Sequence, residues 1–384
     1  MEHNLFTAKN YTDPAIFDLE MRKIFSRCWH FAGLVEDLSQ NNHYLTVQAG
    51  YNNLVITRNE RGELNAFHNS CRHRGMKILE GSGKIPHSRL SCPYHDWTYN
   101  WQGELKGLPH EKTQFKGLNK ACLSLKPATV GIWRGMLWVH PDQDATPLEN
   151  YFAAMSEHLA PYRVEELIEP KGETFDTVIA ANWKLVVENY IDHYHLAQLH
   201  RGTLNMYDHK NAQFGFCDDH YYFWEPLSTE FHRNLTSNSA LPLLMEQDSP
   251  QLGTFVPMLF PSFGLAESES SWSIYQVIPL AVDKTRVIIR TKVKNASSLS
   301  FLSQAARSAK FWTSRVKPKD SNYPNNHPLG SADFMQEDIY VCEQLQKSLT
   351  SPYFEFGPSA AHGEAPIRGF QERILEWLKN SSIN

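Results

Sequence analysis

The spacing of apolar positions divides the chain into helical and extended stretches. Near the N-terminus, apolar residues recur every three or four positions after the start signal Asp13-Pro14, and this spacing predicts a helix over 14–29. From about Tyr44 the apolar period shortens, which is typical of strands. Strands are expected over the ranges 44–47, 54–57, 131–133 and 136–139. This first region is therefore predicted to be a small antiparallel β domain, and helical spacing returns at 147–159.

The second half of the chain combines another β region with long helices and shows no internal repeat. Strands are expected over 174–178, 221–224, 272–277 and 286–290. Helices are expected over 182–195, 299–316, 333–349 and 367–378. The run 234–253 is rich in Ser, Asn and Pro, so it is predicted to form a loop.

Length and charge narrow the class of protein. With 384 residues, 41% of them hydrophobic, the chain can build a sizeable core, and its length suggests about two domains. The formal net charge of −5 argues against a nucleic-acid binder. No signal peptide is visible, and no stretch approaches the ~20 apolar residues that span a bilayer. Six cysteines in a chain of this length do not indicate a disulfide scaffold, so a cytoplasmic protein is expected.

Two short cysteine–histidine pairs are the most informative chemical feature. The first pair is Cys71 and His73, and the second is Cys92 and His95. Four such ligands could hold one tetrahedral zinc ion, or a [2Fe–2S] cluster with both cysteines on one iron and both histidines on the other. Zinc modules usually bring two cysteines together on one knuckle, whereas each loop here supplies one thiolate and one imidazole. The order favours the Rieske type of cluster, with zinc as the alternative.

A second candidate metal site follows in the segment 182–200. His195 and His200 are five residues apart, so on a regular α-helix they would point in different directions. Both can face one metal only if the helix is broken or widened between them. Two histidines and one carboxylate with open positions form the facial triad of non-haem iron oxygenases. The carboxylate is either Asp192 or an acidic residue far away in sequence, and a polar helix face without metal is the alternative.

Together these motifs resemble those of the α subunit of Rieske non-haem iron oxygenases, from about Tyr11 to the C-terminus. The motifs that carry the resemblance are Cys71-x-His73-Arg74-Gly75, Cys92-Pro93-Tyr94-His95-x-Trp97, Asn182-Trp183-Lys184, Glu188-Asn189-Tyr190 and Tyr194-His195-x4-His200. The resemblance implies an α+β architecture: a small antiparallel β Rieske domain and a helix-grip (START-like) catalytic domain, with an antiparallel sheet and long helices. The expected division is an N-terminal helical segment on the catalytic domain (1–40), the Rieske domain (41–145) and the catalytic domain (146–384).

The resemblance also assigns the metal ligands. Residues that match Cys71, His73, Cys92 and His95 hold the [2Fe–2S] cluster in the family. Those that match His195 and His200 hold the mononuclear Fe(II). The third iron ligand of the family comes from a C-terminal helix with the pattern Glu-Asp followed by Glu and Gln, here Glu337-Asp338, Glu343 and Gln346. Asp338 is therefore the expected carboxylate ligand, and Asp333 and Glu337 are the weaker candidates.

Asp192 then takes a different role. The resemblance implies that it hydrogen-bonds the iron ligand His195 and reaches a Rieske histidine, His95, of a neighbouring subunit. A metal-bound imidazole usually donates its second N–H to a carboxylate, a carbonyl or water, so the first contact is physically reasonable. The second contact requires a head-to-tail ring, and a homotrimer is expected. Asp192 and Asn189 are the expected catalytic residues beside the ligands.

The implied function is that of an oxygenase component. Electrons are expected from a separate NAD(P)H-dependent reductase with flavin and iron–sulfur groups, and O2 is used to hydroxylate or demethylate a small substrate. The spacing from Asn189 to Asp192 lacks a residue that many aromatic-ring dioxygenases carry, and it is similar to that of choline, carnitine and glycine-betaine oxygenases. A quaternary ammonium substrate is favoured, with an aromatic or heterocyclic one as the alternative. The candidate aromatic residues for a cation–π contact are Tyr207, Phe214, Phe216, Tyr222 and Trp224.

Two functions of another class remain open on the sequence. The chain could be a Rieske electron carrier or sensor fused to a ligand-binding domain, or a zinc-stabilised binding module. The first is distinguished by whether His195, His200 and Asp338 come together. The second is distinguished by the visible absorption of the purified protein.

Overall fold

The computed structural model describes residues 4–85, 89–170, 174–200, 204, 206–235, 239–304, 323–324, 326–331 and 333–380. The chain divides into two compact units. The smaller unit comprises Leu19–Ala153, and the larger unit comprises the residues up to Asp18 together with Ala154–Asn380. Within the described ranges, no helix is both long and apolar enough to cross a bilayer.

The N-terminal segment is helical and is shared between the two units. It contains α1 (Lys9–Thr12) and α2 (Pro14–Glu20), and α2 continues as a π-helical turn over Met21–Phe25. The sequence places 1–40 on the catalytic domain as one segment, whereas the structure divides it after Asp18. The reason is that the strand His30–Leu34 pairs with Met136–His140 and so belongs to the sheet of the smaller unit.

The smaller unit is built from two antiparallel sheets. Its strands are β1 (His30–Leu34), β2 (His43–Ala49), β3 (Asn52–Arg58), β4 (Leu64–His68), β5 (Ser82–Lys84), β6 (Leu90–Ser91), β7 (Thr98–Tyr99), β8 (Leu105–Gly107), β9 (Pro127–Trp133) and β10 (Met136–His140). Its short helices are α3 (Glu111–Gln114) and α4 (Leu148–Tyr151), with 3₁₀ turns at Val35–Leu38 and Lys120–Leu123. One sheet has the order β1-β10-β9-β4-β3-β2-β5, and the other has the order β6-β7-β8.

The hairpin between β2 and β3 shows how local sequence fixes this unit. Ala49 pairs with Asn52, so the turn consists of Gly50 and Tyr51 alone. Gly50 has φ +56°, and a Cβ atom there would lie 2.8 Å from the carbonyl oxygen of Met21. Only glycine combines that backbone conformation with so close an approach. The predicted strands 44–47 and 54–57 are confirmed by this hairpin.

The larger unit packs helices against one antiparallel sheet. Its helices are α5 (Ala153–Leu159), α6 (Trp183–Ile191), α7 (Leu196–Leu199), α8 (Thr229–Arg233), α9 (Phe334–Ser348) and α10 (Ala365–Asn380), with 3₁₀ turns at Val164–Glu166, His209–Asn211 and Pro328–Gly330. Its strands are β11 (Thr174–Ile179), β12 (Gln213–Cys217), β13 (His220–Pro226), β14 (Gly253–Phe255), β15 (Met258–Leu259), β16 (Phe263–Glu267), β17 (Trp272–Ala281) and β18 (Lys284–Lys292). The sheet order is β11-β18-β17-β16-β14-β13-β12, and β15 pairs with β13 and β16. The predicted α+β class with antiparallel sheets is confirmed.

Helix α6 is central to the larger unit because it packs against α9, α10 and the strands β17 and β18. Asn182 begins it by accepting a hydrogen bond from the backbone N–H of Lys184. The helix ends at Ile191, earlier than the predicted 182–195, because Asp192 adopts an extended backbone with ψ 120°. His195 therefore lies outside α6, at the start of the short helix α7.

The other predicted helices follow the sequence pattern where they are described. The helix expected over 333–349 is α9, and the helix expected over 367–378 lies within α10. The helix expected over 299–316 is helical at 298–304. The rest of that range, 305–316, lies outside the described residues.

Candidate metal centres

Two turns of the same construction carry the cysteine–histidine pairs in the smaller unit. In the first, the N–H of Cys71 donates to the carbonyl of Met76, and the N–H of Gly75 donates back to the carbonyl of Cys71, both at 2.9 Å. In the second turn, the N–H of Cys92 donates to the carbonyl of Trp97, and the N–H of Asp96 donates to the carbonyl of Cys92, both at 2.9 Å. Gly75 and Asp96 both have positive φ, which closes each turn. Each turn therefore brings its histidine back towards its own cysteine.

The four side chains converge where the two turns meet. The Nδ1 atoms of His73 and His95 are 3.1 Å apart. Two imidazole nitrogens that bind one metal ion at about 2.1 Å lie about 3–3.4 Å apart, so this separation fits a shared ion. Cys71 and Cys92 are each only 3% exposed, whereas His95 is exposed. Buried sulfurs and outward imidazoles are the donor arrangement that a Rieske cluster requires.

Tyr99 holds the sulfur of Cys71. Its hydroxyl lies 3.2 Å from Sγ of Cys71 and accepts a hydrogen bond of 3.0 Å from the backbone N–H of Arg72. Burial raises the pKa of the Cys71 thiol, Tyr99 opposes that shift, and the neighbouring Cys92 adds to it. Two adjacent buried thiols are easily ionised only beside a cation, which again fits a metal cluster. Tyr99 was not predicted from the sequence. The signal that could have indicated it is its position four residues after the candidate ligand His95.

The second candidate centre lies in the larger unit, where His195 and His200 flank α7 and Asp338 lies on α9. One ligand atom from each residue lies within 4.8 Å of the other two. Oδ1 of Asp338 is 3.1 Å from Nε2 of His200 and 3.7 Å from Nε2 of His195. The break after α6 and the short α7 resolve the five-residue spacing, because both histidines lie just outside that helix. The structure therefore brings these three side chains together, and their role as iron ligands stays a prediction.

Three polar side chains orient this group. Oδ2 of Asp192 is 2.9 Å from Nδ1 of His195, and Oε2 of Glu337 is 2.8 Å from Nδ1 of His200. Asn189 donates a hydrogen bond of 3.3 Å to Oδ1 of Asp338. Each histidine therefore presents Nε2 to Asp338, with its other nitrogen fixed by a carboxylate. Asp192 and Glu337 lie behind the histidines.

The remaining carboxylate candidate, Asp333, is at the N-cap of α9. There it accepts hydrogen bonds from the backbone N–H groups of Met335 and Gln336. Glu337 was a weaker candidate for the third ligand, and its contact with His200 gives it an orienting position instead.

The electrostatics of the group favour a cation. Burial lowers the pKa of His200, but Asp338 and Glu337 outweigh it and raise the pKa to about 9. A protonated imidazole there occupies the place that a divalent metal would take in exchange for its proton. Two imidazole nitrogens and one carboxylate oxygen are also the donor set of the non-haem iron facial triad. The residues present therefore fit a mononuclear Fe(II).

The group lies in the wall of a cavity of about 720 Å³. The cavity lining includes Asn189, His195, His200 and Asp338 from the metal-ligand group and its neighbours. Its other walls come from helices α6 and α9 and from the faces of β11, β13, β17 and β18. Ligand cavities of several hundred Å³ hold small molecules, so the size suits a small substrate.

The prediction of the aromatic lining was largely wrong. Tyr207 lines the cavity, but Phe214, Phe216, Tyr222 and Trp224 are not among the lining residues. The strand β13 instead presents Tyr221, Phe223 and Glu225 to the cavity. Successive strand residues point to opposite faces, so the error is one of register by a single residue.

The four excluded aromatics have other partners. The ring of Tyr222 stacks on that of His158 at 4.3 Å, and Trp224 donates to the carbonyl of Gln251 at 3.1 Å. The guanidinium of Arg373 lies 3.8 Å from the Phe216 ring. Phe214 packs against the ring of His193, with 4.3 Å between centroids. Each of these aromatic residues on β12 and β13 therefore has a packing partner other than a ligand in the cavity.

Comparison with known proteins agrees with both centres. Residues 28–124 match the family model of the Rieske [2Fe-2S] domain, so the iron–sulfur interpretation of the four ligands is supported over zinc. Residues 160–380 match the model of the ring hydroxylating alpha subunit (catalytic domain).

Two curated relatives illustrate the similarity. The glycine betaine monooxygenase oxygenase subunit of Chromohalobacter salexigens is 36% identical over 196 residues, covering 51% of this chain and 43% of the relative. The carnitine monooxygenase oxygenase subunit of Acinetobacter baumannii is 34% identical over 194 residues, covering 50% of this chain and 51% of the relative. These matches span about half the length of each relative or less.

A solved structure shows that the fold is shared along nearly the whole chain. The quaternary ammonium Rieske monooxygenase CntA, in complex with an inhibitor, superposes with a TM-score of 0.76 at 21% sequence identity. The superposition covers 97% of this chain and 94% of that one. Since the catalytic-domain model alone matches more than half of the chain, the protein belongs to the ring hydroxylating alpha subunit family, with a Rieske [2Fe-2S] domain ahead of its catalytic domain.

Proposed function

We propose that this chain is the oxygenase component of a Rieske non-haem iron system that hydroxylates or demethylates a small substrate. The observation that carries the proposal is the convergence of His195, His200 and Asp338 in the wall of a cavity of about 720 Å³. Cys71, His73, Cys92 and His95 are assigned to the cluster, and His195, His200 and Asp338 to Fe(II). When bound, the iron supplies the activation of dioxygen and the cluster supplies single electrons.

The chain's own residues prepare the site for this chemistry. Asp192 and Glu337 fix the tautomers of the two histidines, so that both Nε2 atoms are free to bind. Asn189 holds Oδ1 of Asp338 and limits the rotation of that carboxylate. The apolar walls, with Val186, Ile289 and Val287 among them, exclude water from the place where substrate is oxidised.

The substrate is proposed to be a quaternary ammonium compound. The support is that the curated relatives described above act on glycine betaine and carnitine, and that Tyr207 offers an aromatic ring to the cavity. An aromatic or heterocyclic substrate would use the same cavity through its apolar walls. The experiment below separates the two.

We further propose that the subunit works in a head-to-tail homotrimer with a separate NAD(P)H-dependent reductase in the cytoplasm. In this arrangement Asp192 links His195 to His95 of a neighbouring subunit. The support is local: Tyr194, beside Asp192, is 61% exposed, and Tyr94, beside His95, is 55% exposed. Exposed aromatic residues beside both groups are suited to a contact between copies.

The test is substrate-dependent oxygen uptake by the iron-loaded protein with a surrogate reductase. The panel contains choline, glycine betaine, carnitine and a set of small aromatic compounds. We expect uptake with product formation for at least one quaternary amine, and its loss in His195→Ala. His232→Ala is the matched control, because this histidine contacts the carbonyl of Gln247 and is not among the cavity-lining residues. Oxygen uptake with aromatic compounds alone would contradict the quaternary ammonium substrate and favour an aromatic one. A loaded protein that shows no substrate-dependent oxygen uptake would contradict the oxygenase function.

A further inference from the structure

One buried carboxyl group in the cavity wall is not explained by the metal site. Glu267, at the end of β16, is 3% exposed and lines the cavity. The hydroxyl of Tyr162 hydrogen-bonds to its carboxyl group, but the other oxygen, Oε2, has no hydrogen-bond partner among the residues that the structure describes. A buried polar atom without a hydrogen-bond partner is destabilising. Glu267 therefore brings to the cavity wall a carboxyl group that still has one unpaired oxygen among the described residues.

Glu267 and the part of the cavity near α6 lie at different positions along strand β16. Gly264, on the same strand, lies so close to Tyr190 of α6 that an added Cβ would be 2.6 Å from its ring. Tyr190 follows Asn189, which bonds Asp338. Three residues of strand advance by about 10 Å, so Glu267 is well removed from that contact. Glu267 also lines an outer cleft of about 920 Å³ in this unit.

The groups around Glu267 are mainly acidic and aromatic. Tyr207 and Glu225 line the cavity with it, and Oε2 of Glu225 is 2.7 Å from Nδ1 of His209. The other titratable groups beside it are Tyr162 and Glu269. The outer cleft, which Glu267 also lines, adds the charged residues Arg163, Glu166, Glu246, Asp248 and Lys294. Burial raises the pKa of Glu267 to about 9, with Tyr162 opposing and Glu269 adding to the shift. The group is therefore neutral near pH 7.

We propose that the carboxyl group of Glu267 is the anchor for a cationic group of the substrate, and that this residue sets the charge selectivity of the cavity. The proposal rests on the proposed function in taking this cavity as the substrate site. A cation without a proton of its own, such as a quaternary ammonium, pairs with the ionised carboxylate, and the Tyr207 ring adds a cation–π face. Binding then releases the carboxyl proton to solvent.

This coupling fixes the sign of the pH dependence. Only the ionised form of Glu267 binds the cation, and the ionised fraction rises about tenfold per pH unit below the pKa. The dissociation constant for a permanent cation therefore falls about tenfold per pH unit and levels off above about pH 9. A neutral ligand of the same shape shows no such slope.

The test is calorimetric binding of choline and of its uncharged analogue, in which carbon replaces the nitrogen, to the full-length protein at several pH values. Buffers of different ionisation enthalpy report the proton released. For the native chain we expect the tenfold slope and about one proton released per choline near pH 7. Glu267→Gln should lose the slope and the proton release and bind choline more weakly, while it binds the neutral analogue unchanged.

Two further variants locate the effect. Glu269→Gln is the matched control, because it removes a neighbouring carboxyl that is not among the cavity-lining residues. It should keep the slope, with the plateau moved to lower pH. Tyr207→Leu should weaken choline more than the neutral analogue if the cation lies in the inner cavity rather than the outer cleft. If Glu267→Gln does not fold, Glu267→Asp keeps a titratable carboxyl group and should retain proton release at reduced affinity.

A choline affinity that is independent of pH, or a Glu267→Gln variant that binds choline like the native chain, would overturn the proposal. So would the absence of any choline binding to the native chain. These outcomes are distinct from a failure of the proposed function. If choline binding shows the pH slope and the proton release but no substrate gives oxygen uptake, Glu267 is the anchor and the oxygenase function is contradicted. If the protein turns over a substrate but choline affinity does not change with pH, the oxygenase function holds and the role of Glu267 is contradicted.

Discussion

Single carboxylates decide which nitrogen each metal-facing histidine presents. Asp192 and Glu337 bind the Nδ1 atoms of His195 and His200, and Asp338 lies on the Nε2 side of both. A partner at Nδ1 fixes the tautomer and raises the basicity of Nε2. Five residues therefore act as one unit, with three facing the metal position and two holding them.

At this scale the roles of Asp338 and Glu337 can be separated by metal content. Asp338→Ala should lose the mononuclear iron and keep the visible absorption of the cluster. Glu337→Gln should keep the iron with an affinity about 10–100-fold weaker, because only the partner of a ligand changes. Iron and sulfide analysis with a chelator competition measures both. Loss of iron in Asp192→Ala with retention in Asp338→Ala would reverse the assignment.

Tyr99 gives a second prediction for a single residue. Its hydroxyl hydrogen bond to Sγ of Cys71 stabilises the more negative, reduced cluster. Tyr99→Phe should therefore lower the midpoint potential, by roughly 40 mV if the bond is worth about 1 kcal/mol. A redox titration followed in the visible range measures this shift. Tyr44→Phe is the control, because that hydroxyl bonds the carbonyl of Glu80 and no sulfur, and equal potentials in all three proteins would refute the role.

At the scale of elements, helix α6 is tied to the rest of the larger unit through a buried carboxylate. The hydroxyl of Tyr11 donates to both oxygens of Glu188, at 2.7 and 2.9 Å, and Gln371 of α10 donates to Oε1 at 3.0 Å. Glu188 is 8% exposed, so these bonds compensate for lost hydration. The N-terminal segment and the C-terminal helix thereby hold the helix that carries Asn189.

Removal of one of these bonds should cost stability. Tyr11→Phe leaves the buried carboxylate of Glu188 with one donor fewer, so the free energy of unfolding should fall by about 1.5–3 kcal/mol. Urea denaturation followed by fluorescence measures the change. Tyr353→Phe removes the same hydroxyl at a site that is 93% exposed and should change little. An equal change in both variants would show that the bond to Glu188 adds nothing.

At the scale of the whole molecule, the proposed ring can be tested by mixing inactive chains. Cys92→Ser removes a cluster ligand, and His195→Ala removes an iron ligand, so each homotrimer should be inactive. In a head-to-tail ring, mixed trimers place an intact cluster beside an intact iron site of the next subunit. Activity should return to at most about a quarter of the native value, because each working pair needs two independent one-in-two choices.

The control for that experiment is proof of subunit exchange, obtained with two affinity tags on the two variants. Recovery should grow with the fraction of doubly tagged trimers. Exchange without any recovered activity would contradict electron transfer between neighbouring subunits.

The sequence alone determined the parts of this protein that depend on contacts between residues close to one another in the chain. The spacings from Cys71 to His73 and from Cys92 to His95 lie within single turns, so the local chain brings each pair together. The strong apolar periods likewise predicted α9, α10 and the hairpin of β2 and β3. The assignment of Asp338, more than a hundred residues after His200, came from the resemblance to a family rather than from spacing.

Only the tertiary structure decided what faces the cavity. Aromatic residues occupy both faces of β13, so the sequence contains no signal for which face is turned inward, and a shift of one residue exchanged Tyr222 for Tyr221. The end of α6 at Ile191 was also not predicted, and it follows from the extended backbone of Asp192. The proposed role of Glu267 could not be predicted from the sequence, because burial and an oxygen unpaired within the described residues are properties of the packed chain and not of any local pattern.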